Sequence, residues 1–241
     1  MSNMFNPLGQ PLGIPVPDWQ GATRPVAEVR VGRLCRLEPL EPSVHAEDLY
    51  EALSLDSDGR NWTYLPYGPF DSVEDFASWL SSVGQDQDVL FFVIISLESD
   101  KPVGIASYLR ISPEQGSIEV GHLNFSPLMQ RTPIATEAMW LMMKEAFALG
   151  FRRYEWKCNA LNRASRRAAQ RLGLSFEGVF RQAAVVKGYN RDTAWYAAID
   201  RDWPALNEVL TQWLRTDNFD AQGRQRVSLS ALTRPLLVAV G

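Results

Sequence analysis

Three stretches between Val89 and Phe125 restrict the fold more than any other part of the chain. Val89–Glu98, Val103–Ile111 and Ser117–Phe125 are rich in apolar and β-branched residues, and only the polar joints Ser99-Asp100-Lys101 and SPEQG separate them. Joints of turn length suit antiparallel pairing. Upstream, Arg30–Glu38 reads as a strand ended by Pro39. Ser43–Ser54 has helical spacing behind a good N-cap, and Asp71 with Glu74 resembles a capping box opening a helix through Leu80. Downstream come a helix over Ile134–Leu149 stopped by Gly150, a short strand at Tyr154–Cys158, and a helix over Asn162–Leu172 stopped by Gly173. Strands at Leu174–Val186 and Thr193–Ile199 flank a KGYNRD turn, and Asp202-Trp203-Pro204 opens a last helix through Leu214. Strand runs mixed with helices on a single core imply an α+β or mixed α/β layer fold.

Composition sets the class. In 241 residues the chain holds eight Trp, eleven Phe and seven Tyr, which excludes disorder for its bulk. Three segments are expected. Residues 1–25, with Pro7, Pro11, Pro15, Pro17 and Pro25, form an extended arm, ordered where Ile14, Val16 or Trp19 docks. Residues 26–214 form the domain, and 215–241 form a tail packed on the domain or on a partner. Arm and tail also offer surfaces for a homodimer. A net charge of -4 argues against a nucleic-acid partner. Cys35 and Cys158 are too few and too far apart for a disulfide framework or a cysteine-rich zinc site, so no metal is expected. Apolar runs such as Val89–Leu97 are too short to span a bilayer, and Met1–Pro25 lacks the features of a signal peptide. A soluble, cytoplasmic protein is expected.

The strongest chemical signal lies between Ser117 and Gly173. The strand SIEVGHLNF leads through SPLMQRTPIATEA into a helix, so Gln130–Ala135 place several amide donors at a helix N-terminus, where the dipole favours anions. Either a phosphate sits there or the segment is a plain strand-to-helix turn.

The segment resembles the GNAT acyltransferase superfamily, and within it the RimJ/RimL-type branch. That family carries Gln/Arg-x-x-Gly-x-Gly/Ala between a strand and a helix. This chain has Gln130, Pro133 at the glycine position and Ala135, followed by the branch's helix opening as Ala135-Thr136-Glu137-Ala138. Phe125 and Pro127 fall at the usual distances upstream. Asn162-Arg-Ala-Ser165 and the later Arg-Leu-Gly173 are similar to the family's Asn-x-x-Ser…Leu-Gly-Phe segment, with Leu174 in place of Phe. The resemblance covers Arg30 to Ile199. It implies a mixed, mostly antiparallel sheet with helices on both faces, splayed between Ser117–Phe125 and Tyr154–Cys158. It implies acetyl-CoA or another short acyl-CoA as cofactor and an amine, either a small molecule or a peptide N-terminus, as acceptor. Pantetheine is then expected beside Leu123, Asn124 and Phe125. The phosphates are expected at Gln130, Arg131, Thr132, Ile134, Ala135 and Thr136, with Asn162 and one arginine of Arg163, Arg166, Arg167 and Arg171, taken as Arg167. Pro133 lacks an N–H, but at the start of a helix that donor has no intrahelical partner. Ala169 stands where many members carry a tyrosine, and a small residue there is usual in the branch.

Acyl transfer to an amine needs a proton acceptor and stabilisation of the departing thiolate. Glu119, on the strand entering the loop and near the uncrowded Gly121, is either the base or a structural ion-pair carboxylate. His122 ranks second and, by strand alternation, is expected on the opposite face. Ser165 is the candidate for assisting thiolate departure. Trp62, Tyr64, Tyr67 and His122, with Arg191 from the KGYNRD turn, form the expected acceptor wall, although Gly188, Asn190 and Asp192 also explain that turn locally. Two other classes fit the same residues: a non-catalytic acyl-CoA sensor and an interaction protein.

Overall fold

The computed structural model describes residues 4–241. Its main sheet is built from β3 (Arg30–Val31), β4 (Cys35–Pro39), β5 (Leu90–Ser96), β6 (Lys101–Ser112), β7 (Ser117–Phe125), β8 (Arg153–Asn159), β9 (Ser175–Val186) and β10 (Tyr189–Ile199). Their spatial order is β3-β4-β5-β6-β7-β8-β10-β9, antiparallel except for the parallel pair β7–β8. The helices are α1 (Pro42–Ser54), α2 (Val73–Val83), α3 (Pro133–Ala148), α4 (Arg163–Arg171), α5 (Trp203–Trp213) and α6 (Leu229–Thr233).

Strand alternation divides the core in two. Phe91, Val93, Ile95 and Ile105 meet Leu49, Leu53, Phe76 and Leu80 of α1 and α2 on one face, the front. Phe92, Ile94, Tyr108, Ile118 and Val120 meet Met139, Met142 and Met143 of α3 on the other, the back, where α4 and α5 also pack. The fold is thus a mixed α/β layer structure, mostly antiparallel, with helices on both faces. Gly173 ends α4 at φ +90, and a Cβ there would lie 2.3 Å from a Leu206 methyl, so both backbone and packing require glycine.

Several expected elements shift. Arg30–Glu38 is two strands folded back on each other, because Gly32 N–H bonds the Cys35 carbonyl and the Glu137 carboxylate takes the amides of Arg33, Leu34 and Cys35. α1 starts with Pro42 at its first turn behind Glu41, without a side-chain cap, and α2 is capped by Ser72 through Asp75 and not by Asp71. The turn before β10 shrinks to Lys187-Gly188, both at positive φ as a tight hairpin requires.

In the arm, β1 (Met4–Phe5) pairs with β2 (Pro11–Leu12) apart from the main sheet. Ile14 and Val16 are exposed, and Trp19 alone of the three docks: its indole donates to the Glu114 carbonyl at 2.9 Å beneath the Arg152 guanidinium. The tail packs on the domain. Leu229 and Thr233 are fully buried, and Phe176 N–H donates to the Ala239 carbonyl beside the start of β9. Among the described residues no helix is long and apolar enough to cross a membrane, and no cluster of metal-ligating side chains forms.

Candidate active site

The site begins as an interruption of the sheet. β7 and β8 pair only over Ser117–Val120 and Arg153–Trp156. Beyond Val120 a β-bulge puts one extra residue of β7 against β6 between the pairs Ser107↔Gly121 and Ile105↔Asn124, and His122 takes φ 51 within it. From there the remainder of β7 has no ladder partner on β8. Along this stretch Asn124, 2% exposed, has both side-chain polar atoms without a partner among the described residues, as does the Ser126 hydroxyl. Such groups mark a place built for something polar. Leu123 and Phe125 pack toward the back core, and the Phe125 carbonyl accepts from Asn61 Nδ2 (3.0 Å) and Gln130 Nε2 (2.7 Å). Those two bonds use both carbonyl lone pairs, so Phe125 offers a ligand its edge and not its oxygen.

The loop after β7 leads into the N-terminus of α3. Thr132 caps the helix, accepting from Ile134 N–H and donating to the Met129 carbonyl, while its own amide bonds Met129. Of the amides of Arg131, Thr132, Ile134 and Ala135, those of Thr132 and Ile134 are therefore engaged. Those of Arg131, held at φ 62, and of Ala135 donate to no protein acceptor among the described residues. With that of Thr136, which likewise has no protein acceptor among the described residues, three free amides at a helix N-terminus next to an unpaired strand edge fit a pyrophosphate-bearing ligand. Gln130, expected to touch phosphate, instead spends its amide on Asn61 and Phe125. Across the gap Asn162 caps α4 by accepting from Ser165 N–H at 3.0 Å. Ser165 Oγ accepts from the Trp156 indole at 2.9 Å, which leaves the hydroxyl proton to be donated elsewhere. Burial raises the neighbouring Cys158 thiol, keeping it protonated. Arg167 is exposed, whereas Arg166 and Arg171 turn inward.

On the front of the gap two expectations change. The register Phe91↔Ser107↔Gly121 and Leu109↔Glu119 puts Glu119 on the Phe91 face. The bulge turns His122 to that same face: its ring lies 5.0 Å from Phe91 and stacks on Tyr67, whose hydroxyl is 2.9 Å from Nδ1. Alternation failed because of one extra residue. Burial, with Arg110 nearby, pulls His122 down to about 4, and burial pushes the Tyr67 phenol up. The ring is therefore neutral at physiological pH. Glu119, 3% exposed, is not an isolated carboxylate. Arg110, on its own bulge at φ 46, donates to both oxygens at 2.9 Å, and Lys157 Nζ lies 2.8 Å away. Lys157 also bridges to Glu155 and lies 3.9 Å from the centre of the Trp195 ring. Glu119 is thus bound into a network across β6, β7 and β8.

An aromatic loop at residues 61–70 bridges the mouth of the gap. Trp62 is buried, edge-on to Phe70 and Tyr67, and serves as its core. Tyr64 hydroxyl reaches the Leu161 carbonyl before α4, and Lys187 Nζ donates to the carbonyls of Trp62 (2.9 Å) and Gly68 (2.6 Å) from the β9–β10 turn. Arg191 Nε rests on Thr193 Oγ1 at 3.2 Å. Sequence reasoning passed over Asn61, Arg110 and Lys157. The one legible hint was Glu155 and Lys157 at alternate positions of an otherwise apolar strand.

Comparison with known proteins follows the same lines. The model of the acetyltransferase (GNAT) domain family matches residues 34–175. A GCN5-related N-acetyltransferase from Brucella melitensis is 41% identical, with a TM-score of 0.89 over 91% of this chain and 100% of that one. A probable GNAT-family acetyltransferase from Chromobacterium violaceum is 39% identical, with a TM-score of 0.76 over 81% of this chain and 98% of that one. A Salmonella typhimurium acetyl transferase that modifies the N-terminal serine of a ribosomal protein is 22% identical, with a TM-score of 0.61 over 71% of this chain and 99% of its own, a likeness of fold alone. No match is found among curated proteins.

Proposed function

This chain belongs to the GNAT acetyltransferase family, and from that premise we propose that it works in the cytoplasm, moving an acetyl group from acetyl-coenzyme A to a primary amine by direct attack in a ternary complex. The acceptor in this reading is a small-molecule amine or a peptide N-terminus. One observation carries it: the unpaired edge of β7 runs straight into a helix N-terminus with free amides at Arg131, Ala135 and Thr136. When bound, the cofactor supplies a thioester activated toward nucleophiles. The amides of Arg131 and Ala135 hold its pyrophosphate, the edge at Leu123–Phe125 aligns its pantetheine, and Asn162 and Ser165 flank it from α4.

His122 is better placed than Glu119 to take the amine proton. It sits at the bulge where the strands part, neutral, with Tyr67 fixing the ring. Glu119, already shared by Arg110 and Lys157, keeps Lys157 and the strand in place. Ser165 gives its proton toward the departing thiolate. The aromatic loop, with Tyr64, Tyr67 and Trp62, walls the acceptor side, and Arg191 stands at its rim. Membership of the RimJ/RimL-type branch belongs to the same proposal, supported by the Ala135–Ala138 helix opening and the small, buried Ala169. Thiol release from acetyl-CoA across a panel of primary amines tests the reading. Saturable, amine-dependent release is expected, and CoA binding without release for any amine would leave a sensor instead.

A further inference from the structure

Arg171 is the last residue of α4, and its side chain folds back beneath the start of α3. Its Nη1 donates to Thr136 Oγ1 at 2.9 Å, and its guanidinium carbon lies 4.9 Å from the centre of the Trp213 ring. Thr136 is 1% exposed and directly follows Ala135, whose amide is free. No carboxylate pairs with Arg171 among the described residues, and burial is the one influence moving its pKa, downward. The C-terminal pole of its own helix favours a cation there, but the N-terminal pole of α3 opposes it. The charge is left short of a counter-ion.

The other arginines of α4 are not so placed. Arg166 is committed to the Tyr196 hydroxyl and the Ala160 carbonyl at 3.0 Å each, and Arg163 and Arg167 face solvent. The setting of Arg171 is instead held by the tail. Thr233 Oγ1 donates to its carbonyl at 3.1 Å, and the Gln225 side chain accepts from the Trp213 indole at 2.9 Å. Both residues lie beyond the segment 34–175 that matches the family.

We propose that Arg171 is a positioning residue for coenzyme A, supplying from beneath the amide cradle the positive charge that holds the pyrophosphate, with the C-terminal tail keeping it in place. This rests on the reading that coenzyme A docks at the start of α3. An anion above the cradle completes the charge that the fold leaves open. The guanidinium is partly buried against an aromatic face, where its field is screened less than that of a fully exposed arginine.

Calorimetric titration of the full chain with CoA and with dephospho-CoA tests it, for wild type, Arg171→Met and Arg171→Lys, with the thermal midpoint of each free protein as the check on folding. Arg171→Met is expected to weaken both ligands at least tenfold, about 1.4 kcal/mol, and Arg171→Lys to recover most of the loss. The KM for S-acetylpantetheine, which has no phosphates, is expected to stay within about twofold of wild type. Unchanged CoA affinity in folded Arg171→Met overturns the proposal. So does a loss for CoA that dephospho-CoA escapes, since that assigns Arg171 to the 3′-phosphate. Should Arg171→Met fail to fold, Thr136→Val removes the acceptor that aims the guanidinium. A loss of threefold or more then supports the proposal, and no loss overturns it. Failure of wild type to bind CoA at all would instead defeat the underlying reading.

Discussion

Two charges, one buried and one partly buried, flank the first turns of α3 and are treated in opposite ways. On the side facing the β3–β4 turn, Glu137 is 2% exposed and accepts from three successive amides, at 3.0, 2.6 and 2.9 Å. On the side facing α4, Arg171 has one neutral hydroxyl, an aromatic face and no counter-charge. Where the fold needs a charge for itself, it supplies every partner. Where we propose that a ligand binds, partners are withheld. The front of the sheet repeats the contrast a few ångströms from the splay, with Glu119 shared between two cations and His122 neutral with one hydroxyl. The Asn124 side chain, the Ser126 hydroxyl and the amides of Arg131 and Ala135, all without a protein partner among the described residues, lie along the stretch where β7 has left β8 and enters α3.

Breaking the satisfied side should cost stability, and breaking the open side should cost function. Glu137→Ala strands three amides of the hairpin turn and is expected to lower unfolding free energy by roughly 3 kcal/mol or more, read from urea melts. His122→Gln should reduce kcat/KM by about 10²–10⁴ while CoA affinity holds, whereas Glu119→Gln should cost less than about tenfold in rate and show its main effect in the melt. A large rate loss in Glu119→Gln with an unaltered melt would return the base to Glu119 and spoil the contrast.

The pH dependence of stability sharpens it further. Unfolded, His122 takes up a proton below about 6.5, but the folded ring does so only near 4. Over that window the unfolded state binds more protons, so stability falls as pH drops from about 6.5 to 4 and changes no further from this group below 4. Wild type should lose on the order of 2–3 kcal/mol across the window that His122→Gln does not lose. The smallest effect is expected from Ser165→Ala, a several-fold fall in kcat with KM nearly unchanged, since the hydroxyl acts only as charge develops on sulfur.

Much of the fold was legible because it is local. The three strands within Val89–Phe125 and the glycine stops at Gly150 and Gly173 appear where the sequence places them. What escaped is nonlocal or irregular. Arg30–Glu38 looks like one strand because the carboxylate that folds it back belongs to Glu137, about a hundred residues away. The bulge at His122 reverses which face the ring joins, and no spacing announces it. That Arg171 turns inward while Arg167 faces solvent depends on which side of α4 meets Trp213, a residue that periodicity places on α5 without placing α5 in space. The tail carries too little period to read, because α6 is only five residues long and the rest of its order comes from the buried Leu229 and single bonds to Ser175, Phe176 and Arg171.

In this reading the free amides at the start of α3, beside the unpaired edge of β7, hold coenzyme A. The most direct measurement is CoA titration of wild type and Ala135→Asp, with circular dichroism showing both folded. A carboxylate placed beside the pyrophosphate should weaken binding at least about tenfold, roughly 1.4 kcal/mol. Equal CoA affinity in the two folded proteins would contradict the account.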